Sequence, residues 1–313
     1  MVETAATPRR LTLGALVVSA VLSALALNDA TVLLLTPVLV VAADEGGVDP
    51  VPSVLAVIFG ANIGSVATPL GNPQNAYILA VSGLTTTEFV ATLAPVAIVC
   101  LIVAALFLLP ITPEDGTLAV PEPPDFDREW AVGSSVVIIA TFSLLLVFPE
   151  AGAGTVAAIT AVFHLAWLQG FRRVPGEEVF GDVDWGILVL FAGLFALIAG
   201  LDDTVLLATV EAVGGGIPLA FAAFGLSNLV SNVPAVVLLA AGIPEAAAND
   251  WLLLAAVSTL AGNATPIASA ATLIALEAAS DRQVQVPLRT LLLLGIPLSI
   301  VTSIIAVGML VMI

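Results

Sequence analysis

Two short polar breaks interrupt long apolar runs. The first is Asn28-Asp29-Ala30-Thr31 and the second is Ser231-Asn232. Downstream of each lies a longer interruption. In the first half it reads Gly60-Ala61-Asn62-Ile63-Gly64-Ser65-Val66-Ala67-Thr68-Pro69-Leu70-Gly71-Asn72-Pro73-Gln74-Asn75. In the second it reads Ala261-Gly262-Asn263-Ala264-Thr265-Pro266-Ile267-Ala268-Ser269-Ala270-Ala271-Thr272. Proline removes a rung of the helical ladder, and the carbonyl it frees needs a partner. Freed carbonyls and Asn, Ser or Thr oxygens suit Na⁺. On this reading Asn28, Asp29, Asn62, Gly64, Thr68, Ser231, Asn232 and Asn263 are candidate cation ligands. Helix starts do the opposite, offering N–H groups and positive dipole ends to an anion. Asn28, Asp29, Thr31, Asn72, Asn75, Ser231, Asn232, Thr265 and Ser269 are the candidate solute-binding residues. Asp29 stands apart, because a carboxylate at membrane depth is costly and functional by default. It reads as a cation ligand or proton carrier.

The elements that position these residues are membrane spans. Of 313 residues, 60% are hydrophobic and 10% charged, where a soluble domain has about 45–50% and about 25%. Full spans are predicted over 52–82, 87–110, 130–148, 151–170, 184–200, 250–278 and 286–312. Two stretches, 11–43 and 215–242, are broken in the middle. Their second arms, Thr31 to Ala43 and Val233 to Gly242, are too short to cross about 30 Å of hydrocarbon. They read as re-entrant hairpins. Arg9-Arg10 before an apolar run imitates a signal peptide, but no cleavage is expected.

The arginines support the hairpins. All seven basic residues are arginine, and arginines collect on the cytoplasmic side. If both broken stretches return to the side they left, all seven fall on one face. A single crossing of 11–43 would split them. The N-terminus is then cytoplasmic and the C-terminus outside. Residues 112–129, with four prolines and six acids, form a cytoplasmic linker between the repeats 1–111 and 130–313.

Aligning Asn28 with Asn232 and Thr68-Pro69 with Thr265-Pro266 makes the halves repeats. Their hairpins enter from opposite faces, so the repeats are inverted, a basis for alternating access. These paired motifs resemble the ion-transporter superfamily, which includes divalent anion/sodium symporters, citrate transporters, arsenite permeases and one family of sodium/proton antiporters. Asn28-Asp29 with Leu33-Leu34-Leu35-Thr36-Pro37 is similar to the first hairpin tip of the arsenite-permease and antiporter branches. The resemblance implies an all-α polytopic membrane protein of the plasma membrane that moves a small anion with Na⁺ or H⁺, without another cofactor. Homodimer formation is implied too. The second repeat carries three spans before its hairpin and the first carries none. A fragment or a subunit that needs a partner is therefore the alternative expectation.

Other functions are excluded by composition. A net charge of −17 leaves no basic surface for nucleic acid. The single cysteine, Cys100, cannot form a disulfide scaffold and reads as filler. One histidine, His164, one cysteine and one mid-membrane carboxylate cannot supply an intramembrane enzyme. His164 reads as a packing residue, Asp202-Asp203 as solvated acids near the outer mouth, and Glu277 as a boundary acid. Trp130, Trp185 and Trp251 start spans as interface anchors. The acid-rich, lysine-free balance resembles adaptation to high salt.

Overall fold

Each polar interruption ends one helix and begins another in the computed structural model. It describes residues 7–114, 128–148, 152–172, 174–181, 183, 185–200, 208–210, 212–244 and 247–311. Every regular element among these is helical. Four helices there are long and apolar enough to span a membrane, and five shorter apolar ones accompany them. Asp202, Asp203, Arg173 and most of the 112–129 linker lie outside the described residues.

The first half comprises α1 Pro8–Leu25, α2 Asn28–Glu45, α3 Val51–Ser65, α4 Pro73–Ser82 and α5 Thr86–Leu108. Thr7 caps α1, and Thr85 with Glu88 forms a capping box on α5. α1 and α3 run parallel. Thr12 meets Ser53 near their starts, and further along Ser19 bonds the Ala56 carbonyl and Ser23 the Ala61 carbonyl. The chain must therefore double back through α2, which makes α1 and α2 a hairpin with its turn at Ala26-Leu27. α2 differs from the sequence reading. It runs 18 residues from Asn28 itself, about 27 Å at ~1.5 Å per residue, so its arm is longer than Thr31 to Ala43. Asp29 consequently sits in a first helical turn, not in an unwound tip.

Lipid supplies no hydrophobic drive for helix association, so close approach and polar contacts must supply it. Gly60 and Gly64 provide the approach. A Cβ at Gly64 would lie 2.1 Å from the Ala20 carbonyl oxygen, and one at Gly60 would lie 2.4 Å from that of Leu16.

The second half repeats the pattern with α10 Ile217–Val230, α11 Asn232–Ala240, α12 Ala248–Ala261, α13 Ala270–Asp281 and α14 Leu288–Val311. Gly216 N–H bonds Asp250 at the start of α12, and Thr265 beyond its end bonds Asn228 near the end of α10. These helices are parallel as well. Ser231, with φ 74°, makes the turn between α10 and α11. The halves interlock, because α2 packs on α13 and α11 packs on α4.

Between them lie α6 Arg128–Val147, α7 Ala153–Gly170, the short α8 Gly176–Gly181 and α9 Trp185–Ala199. These helices bury little; Leu145 is the one buried residue of α6. Arg172 bonds Glu129 at 3.1 Å and sits over the Trp130 ring, tying the end of α7 to the start of α6. Arg9 pairs with Glu114, tying the start of α1 to the end of α5. His164 stacks on Trp167 and meets Ser134 at 3.4 Å, a packing role between α6 and α7. Cys100 is buried between α5 and α14. Trp251 is 3% exposed and donates to the Pro244 carbonyl, which places it in the core, not at an open interface.

Candidate functional site

Asn62, near the end of α3, is buried and uses its whole amide. Its Oδ1 accepts from Asn28 Nδ2 at 3.4 Å and from Ser269 Oγ at 3.1 Å. Its Nδ2 donates to Asn263 Oδ1 at 3.1 Å and Thr272 Oγ1 at 3.3 Å. One amide thus joins the first hairpin tip to the second interrupted helix.

A second group lies on the other side of the break. Asn72 Nδ2 donates to Ser65 Oγ at 3.0 Å and to Thr259 Oγ1 at 3.3 Å. Gln74 Nε2 also reaches Thr259 Oγ1, at 3.4 Å. Asn72 caps α4 by accepting the Asn75 N–H at 2.8 Å. Asn75 Nδ2 donates to the carbonyls of Ser65 and Thr68, satisfying oxygens freed by the break. Among the described residues, Asn75 Oδ1 and Asn263 Nδ2 are buried without partners.

The two groups are images of each other. The shift of 197 residues that carries Thr68 onto Thr265 also carries Asn62 onto Thr259, Asn72 onto Ser269 and Asn75 onto Thr272. The Ser269–Asn62 bond and the Asn72–Thr259 bond are therefore reciprocal. The same shift relates the Asn75 bond to the Ser65 carbonyl and the Thr272 bond to the Gly262 carbonyl. Such mutual exchange defines a local two-fold relation between the halves.

The hairpin tips follow the same logic. Asn28 N–H bonds the Gly71 carbonyl at 2.9 Å, and its Oδ1 accepts the Asp29 N–H. Asn232 Oδ1 likewise accepts the Val233 N–H, and Ser231 Oγ lies 3.5 Å from it. Thr68 Oγ1 donates to the Ala24 carbonyl, and Thr265 Oγ1 donates to Asn228 Oδ1. Thr31 is buried one turn into α2, and Asp29 is half-buried beside Asn28. Gly64 serves the approach of α1, and its carbonyl accepts the Ala67 N–H. Among the described residues, no hydrogen bond joins Ser231, Asn232 or Thr265 to Asn62 or Thr259.

Of the predicted residues, the structure gathers Asn28, Asn62, Asn72, Asn75, Asn263 and Ser269. It adds Ser65, Gln74, Thr259 and Thr272, none of which was a candidate from the sequence. Thr259 lies in an unbroken apolar helix, and only its position relative to Thr265 marks it. The N-terminal ends of α2, α4 and α13 and the C-terminal ends of α3 and α12 converge here. Helix dipoles thus bring positive and negative ends into one buried layer. None of the seven arginines lies in these converging ends. Among the described residues no group of three His, Cys, Asp or Glu gathers. The donors on offer in the gathered layer are amides, hydroxyls and backbone.

A bundle of interrupted apolar helices around a buried polar layer is the architecture of a multi-pass membrane transporter. Residues 1–273 match the citrate transporter family, and the chain belongs to that family. It is 28% identical to an uncharacterized transporter of Mycobacterium tuberculosis, over 87% of this chain and 69% of that protein. It is 27% identical to the silicon efflux transporter LSI3 of Oryza sativa subsp. japonica, covering 84% and 70%. It is 29% identical to inner membrane protein YbiR of Escherichia coli, covering 91% and 73%. The chain is a transporter, not an enzyme.

Proposed function

We propose that this transporter is secondary and active, coupling Na⁺ or H⁺ to the movement of a small anion, a carboxylate or oxyanion, by alternating access. The observation that carries the proposal is the polar layer itself. Ten side chains from both halves (Asn28, Asn62, Ser65, Asn72, Gln74, Asn75, Thr259, Asn263, Ser269 and Thr272) meet there, and none is more than 2% exposed. A solute that uses this layer needs the surrounding helices to move, first toward one face and then the other. Neutral oxygens at the ends of α3 and α12 suit the cation. The starts of α2, α4 and α13 suit the anion without a basic side chain. The cell membrane, with the N-terminus cytoplasmic and the C-terminus outside, is the proposed setting. Pairing of two copies belongs to the same reading.

Asp29 favours a second reading, cation/proton antiport or arsenite-type efflux. A carboxylate in the first turn of α2 repels an anion unless a cation neutralises it. The rice relative, named for silicon efflux, supports the efflux direction. Both readings are tested by flux into proteoliposomes with citrate, succinate, sulfate or arsenite, with and without Na⁺ and pH gradients. Gradient-dependent uptake supports coupled anion transport. Proton movement driven by Na⁺ without any solute supports antiport. No gradient-dependent flux under any condition overturns both.

A further inference from the structure

We propose that Thr259 is a positioning residue that sets the affinity of the buried layer by holding Asn75 ready for its ligand; this rests on the transport reading above. Three observations support it. First, Thr259 stands where Asn62 stands in the other repeat, yet its roles are fewer. A hydroxyl accepts twice, and here the two acceptances come from Asn72 and Gln74. Both donors belong to the first turn of α4 or its cap. Second, that turn holds Asn75 from every side but one. Its N–H is taken by Asn72, and its Nδ2 by the carbonyls of Ser65 and Thr68. Third, the remaining atom, Asn75 Oδ1, is a buried acceptor without a partner among the described residues. Leaving such an oxygen dry is costly, so a bound group that carries positive charge or an acidic hydrogen is what it is built to receive. Na⁺ and a solute hydroxyl share that chemistry.

The chain of effect is Thr259 to Asn72, Asn72 to the Asn75 backbone, and Asn75 Oδ1 to the ligand. Thr259 itself does not have to touch the ligand. Removing its hydroxyl frees two amides and lets α4 shift, which weakens binding. The maximal rate, set by helix movement, changes less.

The test uses the full chain purified in detergent, with Thr259→Val, Thr259→Ser and Asn75→Ala beside the unaltered protein. Thermal stabilisation is titrated with NaCl against choline chloride at constant ionic strength, and separately with citrate. The expected result is a tenfold or larger rise in half-saturating concentration for Thr259→Val and Asn75→Ala, with Thr259→Ser within twofold of the unaltered protein. Proteoliposome flux of the probe that stabilises should then show KM raised and maximal rate kept within about threefold. If Na⁺ and citrate stabilise all four proteins equally, the proposal falls while the transport reading stands. If Thr259→Val loses maximal rate without a change in half-saturation, Thr259 is only structural and the proposal falls. If neither Na⁺ nor citrate stabilises the unaltered protein, the proposal falls, and the transport reading is decided separately by the gradient-driven flux assays.

Discussion

Asn62 and Ser269, which lie in different repeats, share a hydrogen bond of 3.1 Å that is the image of the Asn72–Thr259 bond. The two bonds cross between halves in opposite senses. Neither repeat can therefore complete its own polar layer. The break in α3–α4 is satisfied partly by the second half, and the break in α12–α13 partly by the first.

Asn62 carries the largest share of this arrangement. Asn62→Ala strands Asn28, Asn263, Ser269 and Thr272 together. Interhelical hydrogen bonds in membranes average about 0.6 kcal/mol, so four predict a loss of roughly 2 kcal/mol. Thermal unfolding in detergent checks this. Gradient-driven flux should fall to background in the same variant, because both halves lose their common anchor.

The glycines of α3 offer a test of close approach. Gly64→Ala places a methyl against the Ala20 backbone, which cannot swing away as a side chain can. Overpacking of this kind costs typically ~1–3 kcal/mol. Gly14→Ala, on α1 itself but with open space around it, should be neutral or stabilising by up to about 1 kcal/mol. Equal melting temperatures for the two variants would contradict the backbone contact between α1 and α3.

The halves also differ, and one pair of serines reads out the difference. Ser23 Oγ donates to the Ala61 carbonyl at 2.6 Å, whereas its image Ser227 is buried without a partner among the described residues. The second hairpin lies beside an open apolar groove lined by Phe221, Phe224, Val257 and Ile304. Val257 and Ala261 stand there where Gly60 and Gly64 seat the first hairpin. Ser23→Ala should cost about 1 kcal/mol, and Ser227→Ala should be neutral or stabilising. Chemical denaturation of both variants distinguishes them.

The apolar helices and their breaks were legible because apolar length and interrupting Asn, Pro and Gly report directly on backbone hydrogen bonding. Asn28, Asn72 and Ser269 could be read as parts of the polar interruptions from their neighbours alone. Thr259 could not. A threonine in an apolar helix ordinarily bonds its own carbonyl ladder, as Thr302 does here with the Leu298 carbonyl. Only the tertiary exchange between repeats turns the Thr259 hydroxyl toward Asn72. The extent of α2 was also hidden. The Asn28-Asp29 pair reads as a turn, yet Asn28 Oδ1 takes the next N–H and opens the helix at once. Pro37 then sits within that helix without ending it.

Asp29 decides between the two functional readings. Its image in the second repeat is Val233, so the local two-fold relation carries one carboxylate and not two. That carboxylate lies in the first turn of α2, beside Asn28. Asp29→Asn keeps the size and the helix start but removes the charge. Coupling to the Na⁺ or pH gradient should be lost, with flux falling at least tenfold under a gradient. Downhill exchange of solute should persist, because Asn62, Thr259 and their partners are untouched. Proteoliposome assays with and without the gradient separate these outcomes. Unchanged coupling in Asp29→Asn would remove the carboxylate from the mechanism and leave a neutral oxygen layer to bind the cation.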